Sequence, residues 1–403
     1  MRLFYLAVIK IVDILLPFVS AVSGSPKLKA LVSGRKKPFP VLPEKTGKRY
    51  WFHCASLGEF EQARPVMERL KSRQAACSLV VSFFSPSGYE QKHDYALADA
   101  VIYLPSDTPS HARKLLDHMQ PDIAVFVKYE IWYYHLSELF KRQIPVYLVS
   151  ATFRQGQYLF SFWGRWLFKV LPRYETIFLQ DSRSYELMKS KGLSNIILGG
   201  DTRYDRVKQN ALNVKDNEVI RLFKGGKRLI ILGSSWPAEE DLVQQYLDNY
   251  PSDTFKILIV PHDISPGHIN EINRKFKKYQ PVQYTNVTGH VDTNVMILNT
   301  IGHLASAYAY ADIAFIGGAF GKGLHNILEP LAFGVPVIFG PHYKKYPEAS
   351  KAMEYEVAIS IRDLQGLKRA IELFSHVHSK EKCIDFINWN SGATDLVIKK
   401  ISA

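Results

Sequence analysis

Cysteine is scarce: Cys54, Cys77 and Cys383 are the only three in 403 residues, far apart and without a CxxC pair. That excludes a disulfide framework and a thiolate zinc site, and it fits a reducing compartment. No Gly-Lys-Ser or Gly-Lys-Thr occurs, so there is no P-loop, and no Gly-x-Gly-x-x-Gly opens a first strand. No DxD-type carboxylate pair stands at a strand end to hold a metal. Tandem repeats and low-complexity tracts are missing. Carboxylates are outnumbered, 38 Asp and Glu against 51 Lys and Arg, for a net charge of +13. Such a basic excess points to a nucleic acid or an anionic membrane as partner.

The excess is crowded at the start. Residues 1–50 hold ten Lys and Arg against Asp13 and Glu44. They adjoin an apolar run, Leu3 to Val22, interrupted by Lys10, Asp13 and Pro17. Apolar run and basic flank together favour the membrane over nucleic acid. About 20 helical residues reach ~30 Å, so the run is long enough to span. Lys10 and Asp13 are three apart on one helix face and can pair. The expectation is a membrane-anchoring helix over 1–22, spanning or lying shallow, with the basic stretch 27–49 on the cytoplasmic side; a cleaved signal peptide, weakened by Lys10 within the apolar region, and a helix packed on a soluble body are the competing readings.

A chain of 403 residues exceeds what one core usually supports, so two domains are expected. Short runs, apolar throughout, alternate with helix-length segments. In the first half they are Tyr50–Ala55, Leu79–Phe84, Val101–Leu104, Ile123–Val127, Val146–Val149, Thr176–Leu179 and Ile196–Leu198. A polar stretch near 205–215 follows. The runs then restart as Leu229–Leu232, Lys256–Val260, Val295–Leu298, Ile313–Ile316, Val335–Phe339 and Val357–Ile361. Strands apolar on both faces belong to parallel sheets. The reading is α/β: a domain over 23–208, a second over 209–380, and one C-terminal helix over 381–403. Ligands of such sheets bind beyond the carboxyl ends of strands, so strand-to-helix turns are where chemistry is sought.

Two turns stand out. "FHCASLGEFEQARP" (Phe52–Pro65) reads as a strand, a Ser-Leu-Gly turn and a helix with Glu59 at its start. Read alone, Glu59 suits the positive end of a helix dipole. His53 and Cys54 resemble a nucleophile and its base, but adjacent strand residues point to opposite faces and cannot form a dyad. "GGAFGKGLHNILEPLAFGVPVIFGP" (Gly317–Pro341) reads as a glycine turn, a helix from near His325–Asn326, and a buried strand. Asn326 and Glu329 share a helical face, and Glu329 suits ribose hydroxyls. This combination reads as the nucleotide-sugar clamp of a glycosyltransferase.

In sequence order, these and four further stretches resemble the 3-deoxy-D-manno-octulosonic acid (Kdo) transferases of lipopolysaccharide synthesis. "HCASLGEFEQARP" is similar to their His-x-x-Ser-x-Gly-Glu, and "KYEIW" (Lys128–Trp132) to their Glu-x-Glu-Leu-Trp. "VSATFR" (Val149–Arg154), "GGDTRYDR" (Gly199–Arg206), "GSSWPAEED" (Gly233–Asp241) and "GGAFGKGLHNILEP" follow in the family's order. The resemblance implies a GT-B fold of two Rossmann-like domains and an N-terminal membrane anchor. It implies an inverting transfer of Kdo from CMP-Kdo to a lipid A precursor (lipid IVA) at the cytoplasmic side of the inner membrane. No cofactor, metal or nucleic acid is expected. The family's base falls on Glu59. Glu130, Ser56 and Gly58 fall where acceptor or Kdo is oriented. CMP contacts fall on Pro261, His262, Gly302, His303, Leu304, Gly323, Asn326 and Glu329.

The chain departs from the family at three points. His262 stands where an Arg is usual, His303 replaces a carboxylate, and Trp236 stands where a His is expected. Losing an Arg loses a permanent charge and a bidentate fork, and Lys322 is the candidate to replace it. Arg203 and Asp205 either touch ligand or form a structural salt bridge, and Glu61 reads as solvated. The alternatives are another GT-B enzyme using a UDP-sugar, or a degenerate scaffold binding anionic lipid.

Overall fold

The computed structural model describes residues 1–251, 254–287, 289, 291–376 and 379–402. It divides into two compact units. One is Met1–Asp205 together with the segment from Ser391 onward; the other is Arg206–Asn390.

The first unit carries β1 (Arg49–Cys54), β2 (Ser78–Phe83), β3 (Ala100–Tyr103), β4 (Ile123–Val127), β5 (Val146–Ala151), β6 (Thr176–Leu179) and β7 (Ile196–Leu198). All pair in parallel, in the order β3-β2-β1-β4-β5-β6-β7. Every residue of β1, β2, β4, β5 and β6 is buried, which is why these segments lack a polar face. Alternation still sorts them. Trp51 and Phe126 enter a core with Leu116, Leu136 and Leu148. Tyr50, Phe52 and Cys54 enter the opposite core with Phe60, Val66 and Leu70 from the helix Leu57–Arg73. Burying each such side chain contributes ~1.5–3 kcal/mol.

The second unit repeats the plan with β8 (Arg228–Ser235), β9 (Phe255–Pro261), β10 (Val282–Gln283), β11 (Val295–Ile297), β12 (Ile313–Ile316), β13 (Val337–Phe339) and β14 (Ala358–Ser360). The order is β10-β11-β9-β8-β12-β13-β14, again all parallel. Among the described residues only β10, two residues at a sheet edge, escaped the sequence pattern, because so short a strand shows no periodicity. The strand order reverses between β1 and β4 in the first sheet and between β8 and β12 in the second, where β10 and β11 also exchange places at the edge. Those reversals are the switch points where doubly wound folds bind ligands.

The helix Arg2–Ser23 is apolar and long enough to cross a membrane. Its Leu3, Phe4, Ile11, Ile14, Leu15, Phe18 and Val22 are exposed, while Tyr5 donates to Asp107 at 2.7 Å and Ser106 donates to Asp13. In place of one helix over 381–403, the chain forms Lys380–Asn390 and Ala393–Ile401. Gly392, at φ 112, breaks them, and the second helix belongs to the first unit.

Candidate active site

At the first switch point β1 and β4 end side by side. The expected Ser-Leu-Gly turn is the first turn of the helix itself: Ser56 is the N-cap, and Leu57 and Gly58 are already helical. Gly58 is exposed, and a Cβ there would meet only the Ser56 hydroxyl, at 3.9 Å. Its value is therefore open space beside the site rather than an unusual φ. Glu59 is the third helical residue and is buried. Its Oε2 accepts the N–H of Ala55, the residue before the N-cap. Burial raises its pKa, against the Ala55 and Ser56 N–H groups and Lys128. Desolvation thus outweighs the helix terminus, which on its own would weaken a base.

Lys128, just beyond β4, takes the left-handed conformation at φ 62, costly for a side chain with a Cβ. The bend carries the chain to Glu130, whose Oε2 accepts from Trp132 Nε1 at 2.9 Å. Burial, then the charge of Glu59, pushes the Glu130 pKa up to about 7. Glu130 does not cap the next helix, whose N-cap is Trp132.

His53 faces Glu130, with Nε2 and Oε2 3.9 Å apart. Ser82 is its register partner on β2. Ser82 Oγ accepts from Trp51 Nε1 at 2.8 Å and stands 2.8 Å from His53 Nδ1. Burial, reinforced by His135, drives the His53 pKa down to about 3, so the ring is neutral. Cys54 lies in the opposite core, its thiol pKa raised by burial, and the two form no dyad. Glu61 is half-buried and partnered rather than solvated. Arg203 pairs with buried Asp201 at 2.7 Å. Asp205 accepts the Gly392 and Thr394 N–H groups at the start of the last helix.

At the second switch point Gly317 follows β12 and lies against β8: a Cβ would sit 2.2 Å from the Ser234 carbonyl oxygen. Gly318, at φ 91, accepts the Gly323 N–H at 2.7 Å and closes the glycine loop. Buried Glu239 holds both strand ends, accepting from Gly318 N at 2.7 Å and Trp236 N at 3.1 Å. Trp236, His262 and His325 gather there. His262 stacks on Trp236 at 4.8 Å and on His325 at 4.6 Å between centroids. Trp236 Nε1 donates to His325 Nε2 at 3.0 Å, so that nitrogen carries no proton, and burial lowers the His325 pKa to about 4. Lys322 Nζ stands 5.3 Å from the Trp236 ring centre, a cation–π distance.

The helix expected from His325–Asn326 begins later, at Leu328, and is five residues long. Asn326 Oδ1 accepts the Leu328 N–H at 3.0 Å, satisfying a donor that a longer helix would leave for an anion. Glu329 bonds to Asn326 and feels Arg206, yet burial raises its pKa. Pro261 ends β9, and the His262 N–H donates to Ser235 O at 3.0 Å. Gly302 and His303 line a groove of ≈ 640 Å³ with Asn213, Asp216 and Tyr284, which His262, Gly323 and Asn326 do not line. Leu304 begins the short helix after them. Sequence reasoning missed Lys128 as a strained cation, Ser82 as the polar partner of His53 and Glu239 as the clamp. Each acts through a strand neighbour known only once the sheet order is.

Residues 31–206 match the family model described as 3-deoxy-D-manno-octulosonic-acid transferase (kdotransferase). The 3-deoxy-D-manno-octulosonic acid transferase of Haemophilus influenzae is 27% identical, over 82% of this chain and 80% of its own. That of Chlamydia trachomatis serovar D is 26% identical, over 87% of this chain and 83% of its own. A putative UDP-N-acetylglucosamine 2-epimerase from Listeria monocytogenes superposes with a TM-score of 0.61 at 13% identity, over 88% of this chain and 96% of its own. That likeness bears on the GT-B fold alone. With two doubly wound units, a family model matching residues 31–206 and a likeness to Kdo transferases that runs through most of the chain, this protein is a glycosyltransferase similar to the Kdo transferases.

Proposed function

We propose that the chain transfers Kdo from CMP-Kdo to a hydroxyl of a lipid A precursor, with inversion and with Glu59 as general base. The supporting observation is a pair of desolvated carboxylates, Glu59 and Glu130, at the switch point of the first sheet. The acceptor oxygen attacks the anomeric carbon and its proton passes to ionised Glu59. The bond from that carbon to the phosphate oxygen breaks, and CMP leaves with the bonding pair. A raised pKa makes Glu59 the stronger proton acceptor. Glu130, Ser56 and Gly58 orient acceptor or Kdo, with Gly58 leaving backbone uncovered beside the base.

In this reading the second switch point holds the donor. Pro261, His262, Gly323, Asn326 and Glu329 contact CMP, with Gly302, His303 and Leu304 beyond β11 completing the set. Lys322 supplies the permanent charge that His262 lacks in place of Arg. The exposed apolar face of Arg2–Ser23 and the basic segment after it hold the chain at the cytoplasmic face of the inner membrane.

The test is a transfer assay with purified full-length protein, CMP-Kdo and lipid IVA, product masses counting the Kdo units added. Glu59→Gln is expected to lose roughly 10²–10⁴-fold in turnover while calorimetric CMP-Kdo binding survives. Near-normal turnover by that variant sinks the base assignment. Binding of UDP-GlcNAc in preference to CMP-Kdo sinks the donor.

A further inference from the structure

The first unit has a cavity of ≈ 530 Å³ that neither half of the transfer chemistry uses. The basic helix Pro26–Lys36 and the segment 37–40 form one wall, edge strand β3 the floor, and residues 105–114 the other wall. Its polar lining is cationic: Arg35, Lys37, His111 and Lys114, around Tyr103 and Ser106.

Arg35 is the decisive residue. Its Nε is buried and has no hydrogen-bond partner. Its guanidinium lies 4.8 Å from the centre of the Phe84 ring. That contact serves the cation's face and leaves the in-plane donor unmet. Asp13 is close enough to act on Arg35, but it accepts the Ser106 hydroxyl. His111 Nδ1 donates to the Ser106 carbonyl at 3.1 Å, which steadies that wall. A buried guanidinium donor without an acceptor is costly, and phosphate oxygens match its fork.

The cavity also lies next to the apolar helix. Ser106 lines the one and donates to Asp13 of the other. Pro38, Phe39, Val101 and Ile102 give the cavity apolar surface as well, which a free phosphate would leave uncovered. We propose that this cavity binds the phosphate of an anionic membrane lipid, seating the first unit on a bilayer that takes the exposed face of Arg2–Ser23. This rests on the membrane-surface part of the proposed function and adds a defined headgroup site to it.

The test is sedimentation of the full chain with vesicles of one part phosphatidylglycerol to three parts phosphatidylcholine, at low and high salt. Each basic residue near such a surface is worth about fivefold in partitioning through diffuse attraction, and salt screens that attraction. The cavity pair Arg35→Ala/Lys114→Ala is compared with the exposed pair Lys27→Ala/Lys29→Ala, which removes the same charge. The cavity pair is expected to lose about tenfold more than the exposed pair, with the difference persisting at high salt. Arg35→Lys, which keeps the charge and loses the fork, falls between and serves should the alanine pair fail to fold. Equal losses from the two pairs, or a difference that vanishes with salt, overturn the headgroup site. So does inorganic phosphate that raises the wild-type melting temperature through Arg35 while vesicle binding ignores Arg35. A wild-type chain that ignores the vesicles altogether overturns the membrane reading itself.

Discussion

Glu59 illustrates how one residue answers to two demands. As the third helical residue it accepts the Ala55 N–H just before its helix, and as a buried carboxylate it gains basicity. These oppose each other in pKa, and burial prevails. Glu130 carries the same logic further. Between the unfolded value of about 4.3 and the folded value of about 7, the native state holds a proton that the unfolded state has released. Its contribution to stability is therefore present below the unfolded value and is lost as pH rises through the folded one. Denaturant unfolding is expected to show this loss between pH 5 and pH 8, with Glu130→Gln recovering about 1–3 kcal/mol at pH 8. A wild-type chain no less stable at pH 8, with no gain from Glu130→Gln, would contradict the burial of this group. At the second site, Lys322→Ala is expected to weaken CMP-Kdo binding about tenfold, or ~1.4 kcal/mol, with turnover at saturation little changed. Calorimetry that finds no weakening removes Lys322 from the donor site.

Among elements, the helix Tyr133–Lys141 and the apolar N-terminal helix are tied through a shared acceptor. Buried Asp107 accepts from Tyr134 N and His135 N, each near 3 Å, from His135 Nδ1 at 2.6 Å, and from Tyr5 Oη at 2.7 Å. It thus satisfies helix-start donors and fastens the apolar helix at once. Tyr5→Phe is expected to cost about 1 kcal/mol in urea unfolding, and Asp107→Ala about 2–5 kcal/mol, because the latter leaves buried N–H groups without acceptors. Equal costs would mean that Asp107 acts only through Tyr5. Thirteen of the fourteen strands among the described residues were legible from their apolar runs, since strands covered on both faces have no polar alternative. The start of the helix at Leu328 was not, because Asn326 takes its first donor and no spacing rule states that.

At the scale of the molecule, the last helix ties the chain's end to its first unit. Val397, Ile398 and Ile401 are buried in the core that also holds Phe60, Val66 and Leu70. Removing them forfeits ~5–9 kcal/mol, most of a typical domain's stability of ~5–15 kcal/mol. A chain ending at Asn390 is expected to keep the calorimetric transition of the second unit and to lose that of the first. Retention of both transitions would show that this helix is dispensable.

The amino-acid sequence alone determined the parallel α/β character, the two-unit plan and the apolar start. These follow from local periodicity and composition, which each segment carries by itself. It also placed the glutamate and glycine turns where strands end. Only the tertiary structure decided what surrounds those turns. Ser82 reaches His53 because β2 lies beside β1, and Glu130 joins Glu59 because β4 lies on the other side. Burial of the pair is a property of that packing, and it is burial that raises the pKa of a helix-start charge.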